Sequence, residues 1–311
     1  MKEPFRKNVA LAIDGGGIRG TMVAKALAVV EETLPAPLHE RVRLTAGTST
    51  GSIIAGAMAA GMTAESIHGV YEELGYNIFK KSWRCFFPFK YFVHYMYPND
   101  FFRKALRKYV GEATMGDLWD RDPRTDVVIT THDLVLNKTR FVKPWKENYR
   151  DWPVWYAVLC SSSAPTYMPV VDGRYVDGGV GSYCNPCYLA AYEATRCLEW
   201  SAEETTLISI GTGRYPEGLK PHEADKFNAL DWAPFTIDTF ISDASDQQVR
   251  LVRDFFPGLD FRRFQMDLPY AIPMDDASSI PVLTELGEEL GRKIIENRVD
   301  EKVDLDAGKA A

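Results

Sequence analysis

Two short motifs carry groups that could act on a carbonyl. Gly47-Thr48-Ser49-Thr50-Gly51 has the G-x-S-x-G pattern, in which a serine between a strand and a helix exposes its hydroxyl on a sharp turn. The glycines matter because side chains there would collide with the neighbouring strand and helix. Asp177-Gly178-Gly179 provides a carboxylate at a strand end that could face another loop closely, although such a triplet alone is more often a turn. The serine motif therefore predicts an exposed nucleophile.

A third motif, Asp14-Gly15-Gly16-Gly17-Ile18-Arg19-Gly20, exposes backbone N–H groups without side-chain cover. At the head of a helix such donors can hold a phosphate or the oxyanion of acyl transfer. Gly15, Gly17 and Gly20 also fit the dinucleotide pattern G-x-G-x-x-G, which requires an acid at the end of the second strand. That strand ends instead at Ala46 and Gly47, so the pattern disfavours a dinucleotide site.

The elements around these motifs indicate a parallel sheet. Strands at Val9–Ile13 and Arg43–Ala46 alternate with helices at Thr21–Leu34 and Ser52–Ala60, an order typical of right-handed β-α-β units. Pro216–Pro281 is expected to be irregular apart from helices near Phe235–Val252. The other predicted elements are the helices Thr63–Leu74, Val154–Ser162, Pro186–Leu198 and Thr284–Asn297, and the strands Asp126–His132, Arg140–Lys143, Arg174–Val176 and Thr205–Ile210.

Composition excludes several classes of protein. The 311 residues are 46% hydrophobic and 25% charged, as in an ordinary globular protein, and the net charge of −7 argues against a nucleic-acid binder. Five cysteines, an odd number, and a charged N-terminus without a signal peptide predict a cytoplasmic protein. The charge-free stretches Leu44–Ala64 and Trp152–Val171 are interrupted by glycine or proline. They are therefore expected to form the buried centre rather than membrane spans.

Taken together, the three loops resemble the patatin-like acyl hydrolases, which have a Gly-rich loop, a G-x-S-x-G serine and a D-G-[GA] aspartate in this chain order. Ser161–Pro169 and Asn185-Pro186 are also similar to family segments, and the resemblance covers about residues 8–215. It implies a three-layer α/β/α fold of the α/β class, with a mostly parallel central sheet and a helical, aromatic-rich cap. We expect one domain over residues 1–298, a cap at about 76–110 and a frayed, charged tail at 299–311.

The resemblance also implies a mechanism. Ser49 would attack a carboxylic ester of a phospholipid, lysophospholipid or glycolipid while Asp177 takes its proton, with no metal or other cofactor. Burial would raise the pKa of Asp177 toward the working pH. The oxyanion would be held by N–H groups of the Gly-rich loop, and Arg19 would either fix that loop or meet a substrate's negative head group. The proposed oxyanion donors are Gly15, Gly16, Gly17 and Ile18, and the supporting residues are Gly47, Gly51, Gly178 and Gly179.

Two alternatives stay open. A Ser-His-Asp esterase would place its histidine after the acid, where His222 is the only histidine. A non-enzymatic nucleotide or phosphate binder could use the Gly-rich loop. The sequence also departs from the family at Cys184-Asn185-Pro186-Cys187, where the family often has two asparagines before the proline. This segment mimics a C-x-x-C redox site, whose thiols would have a low pKa.

The segment from Tyr76 to Phe102 holds 12 of the chain's 38 aromatic residues, interleaved with lysine and arginine. That composition suits either a bilayer interface or a cap packed on the sheet. We expect a lipid substrate at a membrane or micelle surface, a location in the cytoplasm or peripheral to a membrane, and no nucleic-acid partner. A homo-oligomer is compatible with the sequence.

Overall fold

The computed structural model describes residues 5–79, 95–215, 222, 224–227 and 243–302. Within them seven strands form one sheet: β1 Asn8–Ile13, β2 Leu44–Gly47, β3 Asp126–Asp133, β4 Lys138–Val142, β5 Tyr175–Asp177, β6 Thr205–Ile210 and β7 Asp260–Phe264. The helices are α1 Gly20–Glu31, α2 Leu38–Arg41, α3 Thr50–Ala59, α4 Ala64–Ile78, α5 Asp100–Val110, α6 Met115–Asp120, α7 Val154–Ser161, α8 Cys187–Tyr192, α9 at 243–255 and α10 Ile280–Ile295.

The sheet is mostly parallel, as the alternation of strands and helices predicts. Its order is β4-β3-β2-β1-β6-β7, and β1 pairs in parallel with both β2 and β6. Strands β2–β3 and β6–β7 are also parallel pairs, whereas β4 and β5 run antiparallel to β3. The carboxyl ends of the parallel strands therefore share one edge, where α/β proteins build their sites.

Strand β3 serves two partners along the same side. Its first half pairs with β2, with Gly47 opposite Ile129. Its second half pairs with β5, with Asp177 opposite Thr131. The carboxyl ends of β2 and β5 consequently point at each other across Thr130.

Helices cover both faces of the sheet, which confirms the three-layer arrangement. On β1, Leu11 and Ile13 pack under α1, α4 and α10, while Ala10 and Ala12 pack under α8 and α9. Both faces of this strand are buried, and its sequence is accordingly apolar without alternation. The two charge-free stretches contribute α3 and α7, which pack at the centre of the molecule. Among the described residues, no helix is both long and apolar enough to span a bilayer.

Strand β7 lies inside the region that the sequence suggests is irregular, so that expectation is wrong for 260–264. The sequence Asp-Phe-Arg-Arg-Phe does not look like a buried strand because it contains two adjacent arginines. In the structure both are paired, since Arg262 binds Asp260 and Arg263 is buried against Asp14. The tail is also anchored at its start, where Asp300 accepts hydrogen bonds from Arg214. The expected fraying from Val299 is therefore wrong for 299–302. The cap residues 80–94, the segment 228–242 and the tail beyond 302 lie outside the described residues.

Candidate active site

Ser49 occupies a strained turn between β2 and α3. Its φ of 54° and ψ of −124° lie outside the regions that side chains ordinarily adopt. A Cβ atom on Gly47 would collide with the Gly51 carbonyl, and one on Gly51 would collide with the Ile13 carbonyl. Both glycines of the motif are therefore required by close backbone packing, as the pattern predicts.

Helix α7 holds this turn through serine hydroxyls. The Ser49 N–H donates to Ser161 Oγ at 2.9 Å, and Ser162 Oγ donates to the Ser49 carbonyl at 3.1 Å. Ser52 Oγ, on α3 itself, donates to the same carbonyl at 2.6 Å. Three hydroxyls thus satisfy the backbone of a residue whose conformation is unfavourable.

Asp177 ends β5 and is 6% exposed. Its N–H donates to the Ser163 carbonyl at 3.0 Å, and its Oδ1 accepts from the Gly179 N–H at 2.8 Å. Gly178 must be glycine because a Cβ atom there would collide with Thr130 on β3. Gly178 is thus required because there is no room for a side chain, and Gly179 provides a hydrogen-bond donor to the carboxylate.

The fold brings Ser49 and Asp177 together, although 128 positions separate them in the sequence. The Thr48 and Thr130 hydroxyls, 2.7 Å apart, join the serine turn to β3. Both side chains line one cavity, and the Ser49 hydroxyl lies close enough to the Asp177 carboxylate to lower its pKa. Burial has the larger effect and raises the pKa of Asp177 to about 6, against the opposing effects of the Ser49 hydroxyl and the Gly179 N–H. This carboxylate is a stronger base than an exposed aspartate.

The Gly-rich loop lies beside this pair. A Cβ atom on Gly15 would lie 3.2 Å from Ser49 Cβ. The Gly15 N–H donates to the Cys184 carbonyl and the Ile18 N–H to the Met274 carbonyl, both at 2.8 Å. By contrast, no described residue accepts a hydrogen bond from the backbone N–H of Gly16 or Gly17. Of the four amides that the sequence predicts as oxyanion donors, those of Gly15 and Ile18 thus already bind carbonyl groups, whereas those of Gly16 and Gly17 bind none among the described residues.

Arg19 is buried beneath the loop, where Nε donates to the Gly16 carbonyl at 3.4 Å. Its guanidinium lies over the Tyr215 ring, 5.6 Å from the ring centroid. Of the two roles that the sequence leaves open for Arg19, these contacts favour fixing the loop.

An apolar cavity of about 490 Å³ begins at these groups. One end is lined by Gly16, Gly17, Ser49 and Asp177, and the walls come from α3, α4 and α5. Phe79 and Phe102, from the aromatic-rich segment, belong to these walls. A cavity lined in this way suits a hydrocarbon chain and does not suit a nucleotide or phosphate. The apolar wall residues include Ile53, Ala57, Met62, Ile67, Val70, Leu74, Ile78, Leu106 and Val110.

Comparison with known families decides the identification. The model for patatin-like phospholipases matches residues 11–190, which contain the Gly-rich loop, Ser49 and Asp177. The chain belongs to the patatin-like phospholipase family. The resemblance that the motifs indicate is thereby confirmed.

Individual relatives of this patatin-like chain are distant. It is 28% identical to calcium-independent phospholipase A2-gamma of Rattus norvegicus over 94% of its own length and 39% of that protein's. It is 27% identical to patatin-like protein 2 of Arabidopsis thaliana, over 96% of this chain and 85% of the other. VipD from Legionella pneumophila aligns over 94% of this chain and 67% of that chain, with a TM-score of 0.48 and 10% identity. The chain thus spans about two fifths of the rat protein.

The two other sequence readings find no support at this patatin-like site. None of the described histidines lines the cavity, and His222 is exposed and bonded to Asp225. Burial raises the pKa of both the Cys184 and Cys187 thiols to about 12, the opposite of a redox-active pair. The described histidines are His39, His68, His132 and His222, and His94 lies outside the described residues.

Sequence reasoning missed Arg263. Its guanidinium donates to both oxygens of Asp14, at 2.8 and 2.6 Å, and both side chains are buried. The pair fixes the first residue of the Gly-rich loop, because Asp14 follows β1 directly. A buried aspartate after a strand signals a need for a cation. Nothing in the sequence selects Arg263 among 36 basic residues.

Replacing Arg263 by methionine should lower the free energy of unfolding by about 3–5 kcal/mol, because Asp14 is left buried without a partner. Urea denaturation measures the change. Arg262→Met is the matched control, since its partner Asp260 is partly exposed to water, and it should lose far less. Asp14→Leu combined with Arg263→Met should recover most of the loss. Equal losses in the two single variants would contradict a special role for the buried pair.

Asp177→Asn should abolish turnover and yet stabilise the protein. The native pKa of about 6 exceeds the usual 3.8, so the native state binds protons more tightly and its stability falls as the pH rises through this window. Ionisation of Asp177 therefore lowers the free energy of unfolding of the wild type by up to about 3 kcal/mol at pH 8 and by about half of that at pH 5. Denaturation of both proteins at the two pH values measures the difference.

The raised pKa of Asp177 should also appear in the pH dependence of catalysis. For the wild type, kcat/KM should rise with pH through about 6 as the base ionises. Asp172→Asn, which changes an exposed carboxyl on the preceding turn, should leave turnover unchanged. Retained turnover in Asp177→Asn would refute its role as the base.

Proposed function

We propose that this chain is a lipid acyl hydrolase that cleaves carboxylic esters of phospholipids, lysophospholipids or glycolipids. Ser49 is the nucleophile and Asp177 the general base, and the reaction passes through a covalent acyl-serine intermediate. Family membership supports the class of reaction, and relatives from an animal and from a bacterium are named as phospholipases.

One observation carries the assignment of residues. A serine hydroxyl on a strained turn lies beside a buried carboxylate of raised pKa, at the polar end of an apolar cavity. A structural serine needs neither a strained backbone nor a basic partner. A nucleophile needs both exposure on a turn and a group that accepts its proton.

Acylation follows from this arrangement. Ser49 Oγ bonds to the ester carbonyl carbon as its proton moves to Asp177, and the carbonyl oxygen becomes an oxyanion. The N–H groups of Gly16 and Gly17 can stabilise that charge, since both line the cavity and neither has an acceptor among the described residues. The intermediate then breaks its bond to the alcohol oxygen, which leaves with the proton from Asp177.

Deacylation repeats the chemistry with water. Asp177 takes a proton from a water molecule as the water oxygen bonds to the acyl carbon. The second tetrahedral intermediate expels Ser49 Oγ, which regains the proton, and the fatty acid is free. No group besides the dyad, the loop amides and water is required.

The shape of the cavity supports a long acyl chain as the substituent that it binds. Helices α3 and α4 run in opposite directions along its walls, because α3 begins at Thr50, next to Ser49, while Gly75, near the end of α4, lies against Ile18. Ala57 and Ile67 therefore line the end remote from the catalytic groups. From Thr50 to Ala57 the helix rises about 10 Å.

A fluorophosphonate probe should label Ser49 covalently and stop hydrolysis. Ser49→Ala should lose both the label and the activity. Ser182→Gly, which removes a second cavity hydroxyl at a left-handed position suited to glycine (φ 69°), should keep the label. Mass spectrometry of the labelled peptide identifies the site. Labelling that survives Ser49→Ala would exclude the proposed nucleophile.

Ala57→Phe should shorten the preferred acyl chain. Its ring would fill the remote end of the cavity, so each methylene that no longer fits loses about 0.8 kcal/mol, or about fourfold in kcat/KM. A series of esters from four to eighteen carbons measures the profile, with the shortest ester as internal control. A uniform loss at every length would show damage to the fold instead.

A further inference from the structure

The turn joining β3 to β4 presents three consecutive apolar side chains to solvent. Leu134, Val135 and Leu136 are 47%, 67% and 47% exposed. Hairpin tips normally carry polar or small residues that suit turns. An exposed apolar run of this kind usually marks a surface that another phase or molecule covers.

This hairpin tip (residues 134–136) is held firmly in place. The Leu134 N–H donates to the Arg174 carbonyl at 2.9 Å, and the Leu136 N–H donates to Asp133 Oδ1 at 3.2 Å. Asp133 is buried and accepts further hydrogen bonds from Arg140 and Arg174. The apolar side chains are therefore displayed by a fixed scaffold.

The hairpin tip lies on the same edge of the sheet as the catalytic groups. Thr131 is paired with Asp177, and Leu134 is three residues further along the chain, about 10 Å away. Val180 connects the two regions, since it lines the cavity, is 51% exposed, and precedes Gly181, which packs on Thr139 of β4. An exposed apolar side chain at the cavity thus lies on the segment that packs against the strands of the hairpin.

Cationic side chains lie next to the hairpin tip, although the whole chain has a net charge of −7. Arg140 and Arg174 both bind the buried Asp133 carboxylate, and Lys138 follows the tip two residues further along the chain. Lys138 is exposed and forms no ion pair with a described residue. Apolar residues flanked by cations suit the interface of an anionic bilayer.

We propose that the hairpin tip inserts into the interfacial layer of a lipid membrane and holds the mouth of the cavity against it. The inference rests on the proposed function, because a membrane lipid must reach Ser49 from such a surface. A second copy of this chain is the competing occupant.

The test separates membrane binding from catalysis. Sedimentation with vesicles of phosphatidylcholine and phosphatidylglycerol measures binding of the Ser49→Ala protein, which leaves the lipid intact. Adding Val135→Asp should lower the affinity at least tenfold, and adding Val135→Trp should raise it. Phe255→Asp is the matched control, because Phe255 is a large apolar residue that is 64% exposed. It lies at the opposite edge of the sheet, since the nearby Gly258 carbonyl accepts a hydrogen bond from Arg6, which precedes β1. It should leave the affinity unchanged.

In the active protein, Val135→Asp should reduce hydrolysis of vesicle lipid by a similar factor and leave hydrolysis of a short soluble ester unchanged. Unchanged vesicle binding in Val135→Asp, or an equal loss in Phe255→Asp, would overturn the proposal. Conversion of a dimer to a monomer by Val135→Asp, with vesicle binding intact, would assign the hairpin tip to a second copy. Failure of the wild type to hydrolyse any ester would instead refute the proposed function.

Discussion

The pairing of β3 with two strands laid end to end is the constraint on which the site depends. Gly47 lies opposite Ile129 and Asp177 opposite Thr131, so one strand fixes the distance between the serine turn and the carboxylate. Backbone ladders are less deformable than loop contacts, and a one-residue slip would turn Asp177 to the other face of the sheet. The relative position of Ser49 and Asp177, the proposed dyad, is therefore set by the sheet, and the loops add only the last residues.

Asp14 and Asp177 are both buried, and their different partners suit one to a structural role and the other to a chemical role. Burial raises the pKa of both carboxyl groups, but at Asp14 the Arg263 guanidinium is a bidentate partner that opposes the rise. Asp177 has no such cation among its described contacts, and only the Ser49 hydroxyl and the Gly179 N–H oppose the rise there. The first carboxylate therefore fixes a loop through its cation, whereas the second keeps the basicity that the proposed proton transfer requires.

The sequence predicts those parts of the site that depend on local sterics. Glycines 47, 51 and 178 leave a recognisable pattern because no other residue fits where backbones touch. The choice among the loop amides depends on which carbonyls lie opposite, here those of Cys184 and Met274, and these come from distant segments. The sequence does not reveal the role of Arg263 for the same reason. Its charge can be buried only because the fold places Asp14, from a distant segment, against it. Long-range pairing is the information that a local pattern lacks.

The neutral surroundings of Asp177 have a consequence for the end of the proposed catalytic cycle as well as for its start. The proposed hydrolysis would generate a fatty acid whose new carboxyl group lies beside Asp177 in an apolar cavity. Two anions in contact in such a medium repel strongly, and no described guanidinium or ammonium touches the Asp177 carboxylate to offset this. At alkaline pH the charge of the proposed product would therefore speed its release, while in acid a proton shared with Asp177 would keep it bound as an inhibitor.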